Sequence, residues 1–245
     1  MQEPGLSTKS DELPFVRDMF ERIAPRYDFL NRLLSLRRDV VWRRALIRSL
    51  QLKHGARVLD AACGTGDVAL ALIQDSLNNV QVIGADFALS MLFLADKKIR
   101  SSRRRGSICL VAADVLQLPF GEASFDAVTI AFGIRNIQNR SQALKSFFER
   151  LKPGGRLAIL ELTTPPAGLL RRAYLFYFNR FLPLIGRFFS RHHFAYAYLP
   201  DSVAHFPSAP GFADLMRRAG FSKVRFRLLS LGIATLFVGD KPHAS

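Results

Sequence analysis

Along residues 13–50 the apolar positions recur near helical spacing: Phe15, Met19 and Ile23, then Leu30, Leu33, Leu34, Val41 and Leu46. That spacing predicts helix. Pro25 predicts a break between two helices, because proline lacks a backbone donor and crowds the preceding turn. From residue 56 the period changes. The runs 57–64, 80–86, 107–114, 125–132 and 155–162 are short, apolar and partly β-branched, and helical patterns at 67–76, 88–100 and 140–151 lie between most of them. Strands alternating with helices predict an α/β fold with a doubly wound, mostly parallel sheet. The stretch 151–157, LKPGGRL, predicts a helix stop and a turn ahead of the strand at 155–162. The runs 224–231 and 234–241 predict a closing strand pair, which brings the sheet to seven strands.

Outside this core the pattern predicts a polar, flexible leader at 1–12 and a helical insertion at 168–220, facing substrate or membrane, within one domain spanning 13–245. There is no internal repeat. Hydrophobic residues make up 49% of the 245, enough to bury a sizeable core. With two cysteines, Cys63 and Cys109, the chain has neither a disulfide framework nor the thiolates of a zinc cluster, and no metal site is expected. The acidic, polar opening is unlike a secretory signal, and no apolar run reaches the ~18–20 residues that span a bilayer. A cytoplasmic chain is expected. The formal net charge of +15, from 35 Lys+Arg against 20 Asp+Glu, favours polyanions or anionic membrane surfaces.

The richest chemistry follows the first strand. Val58 to Ala62 run into Cys63-Gly64-Thr65-Gly66-Asp67, and a helix follows. Glycines there let the backbone turn sharply and approach a ligand closely. Asp86, 22 residues after Gly64, ends the second strand, where an acid holds ribose hydroxyls in dinucleotide folds. Asp114 ends the third strand, where it can accept from an adenine amino group. A third glycine at position 69 is replaced by Ala69. The pattern D-x-x-x-G-T-G-D, starting at Asp60, is more typical of S-adenosylmethionine than of NAD. Asp60 would orient the loop or the ligand's amino group. Asp67 also reads simply as a helix N-terminal acid, and Cys63 as a small buried packing residue.

These residues, with MFERIAPRYDFLNRLLS at 19–35, Trp42 and the run Thr129-Ile130-Ala131-Phe132-Gly133-Ile134-Arg135-Asn136, resemble the ubiquinone/menaquinone biosynthesis C-methyltransferases. That family is a branch of the class I S-adenosylmethionine-dependent methyltransferases. The resemblance covers about residues 15–240 and extends through 151–162, 181–186, 195–203 and Phe206-Pro207. It implies a Rossmann-like fold, S-adenosyl-L-methionine as cofactor and C-methylation of a prenylated quinol ring. The cofactor contacts it implies are Thr65, Asp86, Asp114, Val115 and Ala131, beside Asp60, Gly64 and Gly66 read from the loop itself. Ala131 stands where the family commonly has serine, Asp114-Val115 where it has Asn-Ala, and His192 where it has an acid.

The implied chemistry needs a quinol hydroxyl to lose its proton and the ring carbon to lie in line with the methyl donor. Arg135, Asn136 and Tyr27 are the catalytic candidates, Arg135 to stabilise a phenolate and orient water rather than as a base. The alternative for Arg135 is packing at the sheet edge against an acid. His54, His192, His193, His205 and His243 are further candidate bases. Residues 169–199 hold no acid and five arginines, Arg171, Arg172, Arg180, Arg187 and Arg191, among many aromatics. They read either as a core-covering lid or as a segment lying on an anionic membrane. The basic run 97–105 reads as a solvated helix end. The expected partners are a prenylated quinol and an anionic membrane surface on the inner face, with oligomeric state open and nucleic acid disfavoured. An RNA or rRNA methyltransferase, or an inactive membrane-associated protein on this fold, are the alternatives. Neither a stacking motif nor an N-P-P-Y-type sequence supports the first, and the intact glycine loop and Asp86 oppose the second.

Overall fold

The computed structural model describes residues 16–24, 28, 32, 35–75, 79–102, 105–168, 171–172, 176 and 193–243. Seven strands form one sheet in the order β3-β2-β1-β4-β5-β7-β6. These are β1 Arg57–Ala61, β2 Gln81–Asp86, β3 Ile108–Ala112, β4 Phe125–Ala131, β5 Leu151–Leu162, β6 Ser222–Leu229 and β7 Ala234–Asp240. The first five are parallel, and β7 runs antiparallel to both β5 and β6. The apolar runs become strands because they are covered on both faces, as in β1, where Val58, Leu59 and Ala61 are fully buried.

The helices are α1 at 16–24, α2 Arg38–Leu50, α3 Asp67–Asp75, α4 Leu89–Arg100, α5 Arg140–Arg150, α6 His193–Ala204 and α7 Ala209–Arg218. One core cluster gathers Phe147, Phe212 and Met216 of α5 and α7 against Phe237 and Ile159 of the sheet. The other packs Trp42, Leu46 and Leu50 of α2 and Leu72 of α3 against the opposite face. Two details differ from the sequence reading. The turn at 151–157 is a bulge within β5, since Leu151 pairs with Phe125 and Arg156 with Ala127, so residues 152–155 loop out. Gly155 allows this, because a Cβ there would sit 2.8 Å from the Lys152 carbonyl oxygen. The second difference is α7, which falls inside the predicted 168–220 insertion. It buries Phe212, Ala213 and Met216 against β6 and β7, so it is a core helix of the sheet.

Tyr27, the 1–12 leader, His192 and all of 177–192 lie outside the described residues. Among the described residues no helix is long and apolar enough to cross a membrane, and no group of His, Cys, Asp or Glu is placed to hold a metal ion.

Candidate functional site

Parallel strands end together, and their carboxyl ends carry the loops that bind ligands in open α/β sheets. Here a cavity of about 250 Å³ opens at the ends of β1, β2 and β4. Gly64, Asp86, Asp114, Val115, Ala131 and Asn136 line it, all six named by the sequence. Val16 and Phe20 of α1, with Phe87, Met91 and Leu116, make its walls largely apolar. Two wall residues hold left-handed backbone: Ala62 just after β1 (φ 49) and Phe132 just after β4 (φ 58). For a non-glycine residue this costs about 1–2 kcal/mol. Such strain at the mouths of neighbouring strands marks a place where geometry is held against preference. Gly133 follows, and a Cβ there would meet that of Ala62 at 2.9 Å, so glycine is what lets the two loops touch.

Asp86 is buried, yet it borders the cavity. Its Oδ2 accepts from the Gly64 N–H at 2.8 Å and its Oδ1 from the Ala88 N–H at 2.9 Å. Burial pushes its pKa up, and these backbone donors offset the rise only in part. Each oxygen keeps lone-pair capacity for a further donor. Asp114 accepts the Leu116 N–H at 2.9 Å and is otherwise turned to the cavity.

Asp60, Thr65 and Gly66 do not line the cavity. Asp60 lies behind the loop, 1% exposed, with Oδ1 accepting from the Thr129 hydroxyl at 3.0 Å and Oδ2 buried without a hydrogen-bond partner. Burial pushes its pKa up to about 7. The Thr65 hydroxyl donates to Asp28 Oδ1 at 2.5 Å and accepts from Lys98 Nζ at 2.9 Å. Thr65 is therefore tied to a polar network on the far side of the loop. Lys98 also pairs with Asp28 and with Asp67, the latter at 2.8 Å. Burial alone would raise the Asp67 pKa, but Arg43 and Lys98 overcome it and hold the carboxyl below its ordinary range. Gly66 (φ +77) packs on Ala95 of α4, where a Cβ would lie 3.2 Å from the alanine's own.

Arg135 follows the second reading rather than the first. It is 9% exposed, and its guanidinium Nη1 donates to Glu161 Oε1 at 2.7 Å and to the Phe132 carbonyl at 2.5 Å. The Arg135 N–H also reaches Glu161 Oε2 at 3.0 Å. Glu161 is fully buried in β5 and accepts the Leu162 N–H at 2.8 Å as well. This network fixes the tight turn Ile134–Asn136, so that Asn136 faces the cavity and Arg135 faces away. The Asn136 Oδ1 is buried and has no hydrogen-bond partner among the described residues.

Glu161 was not singled out from the sequence, although an acid inside the apolar run LAILEL signals a buried charge needing a partner. The α1 wall was also missed as a site element. Glu21 ties that helix to the cavity by accepting from the Leu89 and Ser90 N–H groups at 2.8 and 3.0 Å, which caps α4. Hydrogen bonding from Ser90 and Leu89 holds the Glu21 carboxyl below its ordinary value. Of the histidines, His205 sits exposed beside Asp201, and His243 packs at Gly154; neither lines the cavity.

The model of the ubiE/COQ5 methyltransferase family matches residues 7–241. A ubiquinone/menaquinone biosynthesis C-methyltransferase of Geobacter sulfurreducens is 48% identical over 92% of this chain and 88% of its own. A demethylmenaquinone methyltransferase of Thermus thermophilus is 46% identical over 91% of this chain and 100% of its own. Among solved structures, a SAM-dependent methyltransferase of Thermotoga maritima superposes with a TM-score of 0.64 at 22% identity, covering 91% of this chain and 98% of that one. A phosphoethanolamine N-methyltransferase of Haemonchus contortus, solved with S-adenosyl-L-methionine, gives 0.62 at 15% identity, covering 82% of this chain and 52% of that one.

Proposed function

Because the chain belongs to the ubiE/COQ5 methyltransferase family, we propose that it is an S-adenosyl-L-methionine-dependent C-methyltransferase acting on a ring carbon of a prenylated quinol. The observation that carries the reading is the convergence of Gly64, Asp86, Asp114, Ala131 and Asn136 on one largely apolar cavity at the strand ends.

The residues fit the cofactor. Asp86, already holding two backbone N–H groups, has lone pairs left for ribose hydroxyls. Asp114 can accept from an adenine amino group, and Met91, Val115 and Leu116 offer apolar surface to a flat base. Ala131 contributes backbone and a small side chain there, without a hydroxyl. When bound, the cofactor supplies a methyl group already activated by sulfonium charge.

The chain's own contribution is placement. Asn136 lines the acceptor side of the cavity, and its side-chain amide is suited to a hydrogen bond with a quinol hydroxyl. That hydrogen bond orients the ring and shifts electron density toward the carbon that is methylated. Holding two reactants in register contributes up to about 7–11 kcal/mol of rate acceleration. The apolar walls exclude water that would compete for the methyl group. Arg135 acts through Glu161 and the turn, as a positioning residue for Asn136.

The prenyl tail places the acceptor in a bilayer, so the chain works at the cytoplasmic face of a membrane. The test is incubation of the purified chain with methyl-labelled S-adenosylmethionine and a short-tailed demethylated quinol. A labelled, C-methylated quinol is expected; a quinol that stays unlabelled while the chain binds the cofactor would overturn the reading.

A further inference from the structure

Helix α2 covers β5 and β7 but stops short of the edge strand β6, leaving an open groove between them. Val41, Arg44, Ala45 and Arg48 face it, at the i, i+3, i+4, i+7 positions of one helix face. Arg225 and Arg227 face it from β6, two residues apart and so on one side of the sheet. They sit opposite Val238 and Leu236, which floor the groove with apolar surface.

All the charge brought here is positive. Among the described residues, Arg48, Arg225 and Arg227 have no carboxylate partner. The acids of the flanking elements are committed elsewhere, Asp39 to Arg43 at 2.7 Å and Asp240 to Arg156 at 2.6 Å. An edge strand is protected from aggregation by charge of either sign, which accounts for β6 but not for the matching arginines of α2. Gathering like charges is costly unless a polyanion lies over them.

The end of the groove adds a second feature. The Trp42 indole N–H donates to the Ser230 hydroxyl at 2.9 Å, which ties the start of α2 to the β6–β7 hairpin tip. Around this tie large aliphatic side chains protrude into solvent: Leu36 is 81% exposed, Leu231 74% and Val41 53%. The tip lies at the same edge of the sheet as the cavity. Leu162 at the end of β5 pairs with Ala234 at the start of β7, and Phe132 of the cavity wall stacks near Trp42 at 6.2 Å.

We propose that this face, the α2–β6 arginines with the leucines at its tip, docks the protein onto an anionic phospholipid bilayer. Arginines at headgroup level with aliphatic side chains dipping below them is the chemistry of an interfacial surface. A nucleic-acid surface would instead offer aromatic stacking platforms or base-reading polar groups; among the described residues the one aromatic of the groove's lining, Phe226, is packed near Phe237 at 6.1 Å, and protruding leucines do neither. The inference rests on the proposed function for why a membrane is met, and it sets the cavity mouth beside the leaflet that holds the acceptor.

The full chain is co-sedimented with phosphatidylcholine vesicles, with and without phosphatidylglycerol, and compared with the triple variant Arg48→Gln/Arg225→Gln/Arg227→Gln and with Leu231→Ser. Wild type should bind only the phosphatidylglycerol vesicles, less tightly as salt rises. The triple variant should lose at least about tenfold in affinity, and Leu231→Ser a smaller factor, while both methylate a tail-less quinol at the wild-type rate. Vesicle binding is read independently of turnover, so absent turnover in the wild type counts against the proposed function alone. If the triple variant binds phosphatidylglycerol vesicles like wild type, or if the same arginines serve only to bind an RNA duplex, the docking surface is overturned.

Discussion

Asp86 and Glu161 are both buried carboxylates at the cavity end of parallel strands, yet they are satisfied in different ways. Asp86 holds only backbone N–H groups and keeps a face on the cavity. Glu161 is matched to a guanidinium and to two backbone N–H groups, and is sealed from solvent. A carboxylate without a cation remains an acceptor for an incoming ligand. A carboxylate closed by an arginine becomes a structural joint. The β1–β2 half of the cavity thus presents charge to a ligand, while the β4–β5 half hides its charge and uses it to aim the neutral Asn136.

The largest effect should come from opening the joint. Glu161→Leu leaves Arg135 buried without its counter-charge and should cost about 3–5 kcal/mol of stability in chemical denaturation. Arg135→Met combined with Glu161→Leu should recover most of that loss. A double variant as unstable as the single one would mean the two residues do not act as a pair.

Asp60 is the third case, a buried carboxylate with no paired cation and, among the described residues, no hydrogen-bond partner on Oδ2. Its folded pKa of about 7 lies above the ordinary 3.8, so the folded state binds the proton more tightly than the unfolded chain. Stability should therefore fall as pH rises from about 4 to 7, with the full penalty present above 7. Asp60→Asn should remove this slope and stabilise the protein above pH 7, on the order of 4 kcal/mol at about 1.4 per pKa unit. Denaturation of both proteins across pH 5–8 checks the sign. Equal slopes would show that Asp60 does not titrate in this window.

Asp86→Asn, measured by calorimetry on the folded variant, should lose about 1.5–3 kcal/mol of S-adenosylmethionine binding, since charge-assisted hydrogen bonds to the ribose are weakened. Unchanged affinity would remove Asp86 from the binding half. The smallest effect is expected from Glu21→Gln, which weakens the cap that ties α1 to α4, by about 0.5–1 kcal/mol. The Glu21 pKa is lowered from 4.5, so its contribution is present above that pH and fades as pH falls below it. Thermal melts at pH 7 and pH 4 should show a smaller deficit for the variant at the second pH than at the first.

Much of the sheet was legible because apolar runs, strand-length spacing and the Gly64-Thr65-Gly66 turn carry their own signals. The carboxylates at the ends of β2 and β3 were legible for the same reason, since strand register alone brings Asp86 and Asp114 to one edge. Side-chain direction was less accessible. A charged residue just past a strand can face the cleft or turn back, and Arg135 turns back because Glu161, 26 residues later, waits in the neighbouring strand. Thr65 turns from the cavity because Asp28 and Lys98, distant in sequence, hold its hydroxyl, one as acceptor and the other as donor. The pattern of Phe212, Ala213 and Met216 announced an amphipathic helix. Assigning it to the core rather than to an insertion required knowing that β6 and β7 lay beneath it.

The division of labour between the two halves is tested most directly by Asn136→Ala, with cofactor affinity and single-turnover methyl transfer to a short-tailed quinol measured on the same protein. The account predicts S-adenosylmethionine affinity within about twofold of wild type and a methyl-transfer rate lower by roughly tenfold to a hundredfold, the loss of one amide hydrogen bond to the reacting ring. Wild-type turnover in the variant, or a loss of cofactor binding as large as the loss of rate, would contradict it.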